Sequence, residues 1–373
     1  MFESPPFWMY AVGFLLLLGP LVTVHELGHY LVGRWFGVKA DAFSVGFGKE
    51  ILGRTDRHGT RWKLSVLPLG GYVQFKGDMN PASVPDPKAP VEEGSFQSAA
   101  LWKRALIVAA GPVTNILVAL GIFLAFNLAY GKPLPVEPEQ VGVIANFTED
   151  SRAKAAGFEV GDRITAIDGE EMGSWREIQQ NILLYPNREF VVTVIRGGRE
   201  LELPVTAKAE TTTDNFGNTS TIGLIGVETK PIEERYETVG FGEAASLSVQ
   251  QSVDAANMMV TGIAQIIRGD RSLSEMGGPV KIAKFSGEQL SLGLSAFVFF
   301  VALISLNLAF INLLPIPALD GGHLAFYAVE AVRRKPVGPE ATEWAYRTGI
   351  AIVLMLMVVV TVNDFVSLPL FGS

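Results

Sequence analysis

His25, Glu26 and His29 lie in the stretch Val-His-Glu-Leu-Gly-His-Tyr, residues 24–30, of a 373-residue chain that holds only four histidines. On a helix, residues four apart sit one turn apart on the same face, so both imidazoles can reach one ion. Glu26 is rotated from His25 by about 100°. It is poorly placed to be a third ligand and well placed to touch a water on that ion. Two imidazole ligands beside a carboxylate base is the logic of His-Glu-x-x-His, which points to metal-assisted hydrolysis. Gly28 leaves room for close packing or for the approach of a substrate backbone. The plain alternative is a pair of buried helix histidines with ordinary hydrogen bonds. It leaves Glu26 buried beside them and in need of a partner, which is costly in an apolar surrounding.

Two ligands do not complete a catalytic zinc site, which usually takes three protein groups plus water. The chain has no cysteine, so the third ligand must be His, Asp or Glu, and no structural disulfide can form. The stretch Asn312–His323, "NLLPIPALDGGH", offers Asp320 and His323, and both are candidates. Pro315 and Pro317 end the helix before them. Irregular backbone at membrane depth is tolerated where it lines a cavity or is buried in protein. The plain reading of Asp320 is an Asp-Gly turn at the surface. Asn115, in "AGPVTN", and Asn312 can hydrogen-bond across helices; Asn312 can alternatively bind an extended substrate backbone.

The elements that must position these groups are read from hydropathy. The chain is 49% hydrophobic, with a mean hydropathy of +0.30. A bilayer span needs about 20 mostly apolar residues, and four segments qualify: about 7–32, 105–130, 295–315 and 346–368. The fold class is a polytopic α-helical membrane protein. The first span lacks the positive n-region and cleavage signal of a signal peptide. Span four has almost no polar face; Thr361, Asn363 and Asp364 gather at its outer end. Lys and Arg cluster after span one, before span two and between spans three and four, which predicts residues 33–104 and 316–344 to be cytoplasmic. Both termini and 131–294 are then outside, in the periplasm of a bacterium. The His25 end of span one and the Asp320 end of span three share the cytoplasmic side. A net charge of −8 argues against nucleic acid as a partner.

Between the spans, residues 43–76 form a cytoplasm-side β region, with strands at 62–75 around Gly70-Gly71. Residues 78–95 are Pro-rich and acidic, a linker. Residues 140–208 read as a small soluble α/β domain: a strand, an Asp168-Gly169 turn, a helix capped by Ser174, then a hairpin about Gly197-Gly198. Residues 209–222 are expected to be irregular. Val249, Val253, Ala256, Val260, Ile263 and Ile267 mark an amphipathic helix ending near Gly269. Its apolar stripe either packs on the protein's own surface or lies at the membrane interface. The predicted organisation is therefore a first half of a membrane core over 1–130, a soluble domain and linker over 131–222, the amphipathic-helix region over 223–294, and the second half of the core over 295–373.

"HELGH", "AGPVTN" and "NLLPIPALDGG", in that order, resemble the site-2 protease family of intramembrane zinc metalloproteases. "FSVGFGKE", "PLGGYVQF" and "MGGPVKIAK" resemble its bacterial, RseP-like branch, and the likeness covers nearly the whole chain. The resemblance implies one Zn2+ held by His25, His29 and Asp320, Glu26 as the base, and Asn312 as a substrate contact. It implies a membrane-dipping β-hairpin over 62–75 near the active site. The alternating pattern there suggests, separately, that an edge at Gly71, Tyr72 and Val73 would pair with unwound substrate. The resemblance also implies a periplasmic PDZ domain over 140–208, a single copy where RseP proteins commonly carry two. The implied substrates are single-span membrane proteins already trimmed outside, such as anti-sigma factors, or signal-peptide remnants, in the inner membrane. Two other classes stay in view. One is a non-proteolytic, membrane-anchored PDZ scaffold with structural zinc. The other is a metal or proton transporter, for which four spans without a repeat give little basis.

Overall fold

The computed structural model describes residues 5–77, 92–133, 141–213, 219–229, 236–269, 277–335 and 337–367. Along the chain run α1 (Phe7–Trp35), β1 (Ala40–Thr55), β2 (Arg61–Phe75), α2 (Leu101–Tyr130), β3 (Lys132–Pro133), β4 (Ile144–Phe147), α3 (Arg152–Ala155), β5 (Arg163–Ile167), β6 (Glu170–Glu171) and α4 (Trp175–Leu183). There follow β7 (Glu189–Arg196), β8 (Arg199–Thr206), β9 (Lys208–Thr213), β10 (Thr219–Leu224), β11 (Val227–Thr229), β12 (Tyr236–Glu237), α5 (Phe241–Arg268), α6 (Pro279–Ser291), α7 (Leu294–Leu313), α8 (Asp320–Arg333) and α9 (Pro339–Ser367). Among the described residues, four helical stretches are long and apolar enough to cross a membrane: Phe7–Trp35, Leu101–Tyr130, Leu294–Leu313 and Thr342–Phe365. Most of the expected linker at 78–95, and the end of the fourth expected span at Leu368, lie outside the described residues. The chain forms two compact units.

The larger unit, residues 5–125, 245–261 and 272–373, holds these four apolar helices except the last turn of α2. α1 and α2 cross with their backbones almost touching. A Cβ placed on Gly28 would stand 2.6 Å from the Ala110 carbonyl oxygen, so only glycine fits there. Small residues let apolar helices approach this closely where no hydrophobic force drives them together. At the same end, Tyr30, Val38, Phe43, Val73, Phe75, Phe96 and Ile107 form one buried cluster, which fastens the β-strands onto α1 and α2. In those strands Ala42–Val45 is flanked by Gly71–Gln74 on one side and Arg61–Leu64 on the other. Residues 71–75 therefore form an edge. Asp56 fixes the far turn: it accepts from the Trp62 indole N–H (3.1 Å), the Tyr30 hydroxyl (3.3 Å) and the amides of His58 and Thr60.

α7 stops at Leu313, two residues before Pro315, as a missing donor and a ring clash require. The chain turns through 314–319 and re-enters a helix. Asp320, expected in irregular chain, instead occupies the first turn of α8, where the helix dipole favours an anion. α6 lies against α1 and α9. Its N-terminus is capped from outside: buried Asp364 of α9 accepts from the amides of Gly278 (3.0 Å), Val280 (3.1 Å) and Lys281 (3.0 Å). α5 corrects one of the two readings of its stripe. Val249, Val253, Val260 and Ile267 are 52–79% exposed, whereas Ser248, Ser252 and Ala255 are buried. The small, polar face packs on the protein and the apolar face points away from it. Serines and alanine allow a close helix approach that valines would block.

The smaller unit, Phe126–Ala244 with Gly262–Arg271, is mixed α/β. Its four-stranded sheet has the order β6-β5-β7-β8. Ile164, Ile178, Phe190, Val192 and Val194 are at most 1% exposed and form its core. β7 and β8 turn at Gly197-Gly198, both at positive φ, which suits a two-residue hairpin. Ser174 caps α4 by accepting from the Glu177 amide (3.2 Å). The expectation of irregular chain over 209–222 is overturned: β9 and β10 pair in register from Lys208↔Leu224 to Thr213↔Thr219. The threonines there are good strand formers. Gly223 is needed for packing, since a Cβ would stand 2.5 Å from the Ile182 carbonyl oxygen.

Candidate metal centre

α1 presents His25 and His29 one turn apart, with their rings edge to face and centroids 4.8 Å apart. Asp320 arrives from the start of α8. A Cβ on Gly321 would meet the Leu314 carbonyl oxygen, and one on Gly322 the Ile316 carbonyl oxygen. The two glycines thus let the first turn of α8 tuck under the end of α7 and carry Asp320 to the histidines. His25 Nε2 stands 3.2 Å from Asp320 Oδ2, His29 Nε2 3.5 Å from Asp320 Oδ1, and the two Nε2 atoms 3.2 Å from each other.

These separations fit a metal ion. Ligand bonds of 2.0–2.1 Å in a tetrahedron put donor atoms about 3.3 Å apart. Asp320 Oδ2 is buried without a hydrogen bond, although it lies close to His25. A buried carboxylate oxygen so placed calls for a cation. Two nitrogens and a carboxylate oxygen are a set that suits zinc. Among the described residues, His25, His29 and Asp320 form the one group of three or more His, Asp or Glu that could hold an ion.

Glu26 stands outside that set. Its Oε2 accepts from the Val73 amide at 3.1 Å, so an outward-facing amide of the 71–75 edge is bound to the carboxylate beside the histidines. The cavity in front has a volume of about 250 Å³, and His25, Glu26, His29, Asn312, Asp320 and His323 line it. Val73 also lines it. Gly71 pairs with Val45 and its Cα faces the Glu26 side chain. The Tyr72 ring stacks on Phe47 and is not part of the lining. Of the two candidates for the third position, Asp320 meets the histidines. His323 is turned toward Tyr346, whose hydroxyl lies 2.6 Å from its Nδ1.

Sequence reading missed the second layer, which is supplied by α2. His29 Nδ1 lies 2.8 Å from the Ile107 carbonyl oxygen, and His25 Nδ1 lies 3.3 Å from the side-chain amide of Asn115. α2 comes this close because of Gly111: a Cβ there would lie 2.3 Å from His29 Nε2 and 2.8 Å from His25 Cε1. The signal available was "AGPVTN" itself, a glycine and an asparagine four apart on one face of a span. A backbone carbonyl such as that of Ile107 leaves no signal in sequence.

The profile of peptidase family M50 matches residues 13–356. A relative from Agrobacterium fabrum (strain C58), named for zinc metalloprotease activity, is 42% identical over 96% of this chain and 96% of its own length. One from Rhizobium meliloti, named in the same way, is 43% identical over 94% and 95%. A third, from Vibrio cholerae, is 30% identical over 96% and 98%, in an alignment of 452 positions. A crystal structure of the PDZ domain of an SdrC-like protein from Listeria monocytogenes covers 26% of this chain and 93% of its own, at 21% identity and a TM-score of 0.20. On the extent of the family match and of these relatives, the chain belongs to peptidase family M50.

Proposed function

We propose that this peptidase is an intramembrane zinc metalloprotease that cuts transmembrane segments of single-span membrane proteins. The observation that carries the proposal is the convergence of His25, His29 and Asp320 at metal-ligand spacing, with Glu26 beside them, in a unit built on four apolar helices. His25, His29 and Asp320 would hold zinc, which supplies Lewis acidity at the scissile carbonyl and lowers the pKa of water toward about 7. Glu26 accepts the proton of the attacking water and passes it to the leaving amine nitrogen. Asn312, on the cavity wall, is placed to hydrogen-bond a substrate backbone.

A transmembrane helix keeps its peptide bonds inside its own hydrogen bonds. It must unwind before it can be cut. The edge at Gly71, Tyr72 and Val73 would pair with the unwound stretch by strand addition. Tyr72 would contribute through its backbone, since its ring lies against Phe47. The distribution of Lys and Arg supports an arrangement in the bacterial inner membrane with both termini and a PDZ-like domain outside and the metal site toward the cytoplasm. The substrate type that fits is a single-span protein already trimmed outside, of the anti-sigma-factor kind.

The test is reconstitution with a model single-span substrate. Wild type should cleave it, a chelator should stop cleavage, and added zinc should restore it. Glu26→Gln should lower the rate by about 10²–10⁴-fold, the usual worth of a general base, while retaining zinc. Full cleavage by Glu26→Gln would sink the assignment. Zinc retention without cleavage by the wild type would favour a scaffold.

A further inference from the structure

We propose that Asn115 is a positioning residue for the metal site: its side-chain carbonyl accepts the Nδ1 proton of His25 and leaves His25 Nε2 bare toward Asp320. The inference rests on the metal reading of His25, His29 and Asp320.

A neutral imidazole carries one N–H and one acceptor nitrogen, and the partner of one nitrogen decides what the other is free to do. For His29 the partner is unambiguous. The Ile107 carbonyl oxygen, 2.8 Å from Nδ1, can only accept, so a neutral His29 carries its proton on Nδ1 and leaves Nε2 bare. For His25 the partner is the amide of Asn115, placed with its NH2 3.3 Å from Nδ1; its two ends are opposite in character and exchange by a half-turn. With its NH2 on Nδ1, His25 carries its proton on Nε2. That proton then points into the space between Asp320 Oδ2 and His29 Nε2, each 3.2 Å away, and no ion can enter through His25. With its oxygen on Nδ1, three bare donor atoms converge and require a cation. As placed, Asn115 is 0% exposed and its Oδ1 is buried without a hydrogen bond, a lack that a half-turn relieves by bringing the oxygen onto His25 Nδ1. What His25 carries therefore decides how the amide is turned, and the amide decides whether His25 can be a ligand.

The scaffold around Asn115 suits this role. Ser305 Oγ of α7 donates to the Asn115 backbone carbonyl (2.8 Å), so the helix that leads to Asp320 is tied to α2 at this residue. Ligating histidines usually donate their second N–H to a carbonyl or carboxylate, and losing that acceptor typically costs 10–100-fold in metal affinity.

The experiment uses the full chain in detergent and measures Zn2+ affinity by competition with a chromophoric chelator, together with the Co2+ ligand-field spectrum and thermal unfolding. Asn115→Leu should weaken zinc about 10–100-fold and alter the Co2+ bands. Asn115→Asp should bind close to wild type, because a carboxylate accepts and cannot donate. That variant decides the matter even if Asn115→Leu fails to fold: a tenfold or greater loss in a folded Asn115→Asp would show that His25 needs the amide as a donor and would overturn the proposal. Wild-type affinity in Asn115→Leu, with affinity lost in His25→Ala, would overturn this inference alone. Unchanged zinc binding in His25→Ala would overturn the metal reading and this inference with it.

Discussion

Asp364 holds the start of α6 with one carboxylate and three amides, and removing it should loosen that helix specifically. Oδ1 takes the amide of buried Gly278, and Oδ2 takes those of Val280 and Lys281. The carboxylate is 0% exposed, with Lys281 Nζ 4.0 Å away. A hydrogen bond to a charged acceptor contributes about 1.5–3 kcal/mol, and each buried donor left behind costs about 1–3 kcal/mol. One amide is buried and two are partly so, which places Asp364→Leu at about 3–5 kcal/mol, in the range for removing one member of a buried charged set. Asp364→Asn keeps an acceptor and should cost about half as much. Unfolding in detergent micelles, with hydrogen exchange followed over 277–291, measures it. The amides of Gly278, Val280 and Lys281 should exchange at least 10²-fold faster in Asp364→Leu, because 1.4 kcal/mol is tenfold, while α2 and α7 keep wild-type protection. Unchanged protection at these amides would refute the reasoning.

Two further expectations concern other parts of the chain. In the smaller unit, Arg196 grips buried Asp162 through Nε and Nη2, both at 2.7 Å; Arg196→Met should destabilise that unit by leaving the carboxylate with the Glu159 amide but no cation, read as a lower melting transition. At the turn after β1, the Trp62 indole N–H above all, with the His58 and Thr60 amides, holds the Asp56 carboxyl down at about 2. A carboxyl depressed in this way contributes its stabilisation above its unfolded value near 4, and the contribution is lost as pH falls through about 2. The Trp62 indole resonance should hold its position from pH 5 down to about 3; a midpoint near pH 4 would contradict the bond.

What could be read from sequence depended on where each signal sits. His25, Glu26 and His29 are local, set by one helical turn, and Asp320 was reachable because two prolines and two glycines mark a helix break beside an acidic residue. His323 could not be separated from Asp320, because both follow the same break and only the turn of α8 decides which one faces α1. The partners of His25 and His29 come from α2, far away in sequence. Asn115 could be singled out as polar but not assigned a partner. The stripe on α5 shows a general limit. Amphipathicity tells which face is apolar, but where the surroundings are as apolar as a protein core it does not tell which face is packed. The hairpin at 208–224 was hidden by threonine, asparagine and glycine, which suit turns as well as strands.

Gly111 contributes to this site only by leaving space empty. It donates nothing and accepts nothing from the histidines, yet the one methyl group of an alanine would fall between their rings. Scanning that trims side chains would pass over it, since there is nothing to trim. The position is visible only to substitutions that add atoms. Gly111→Ala, which deletes no chemical group, should resemble the loss of a ligand more than the loss of a packing contact.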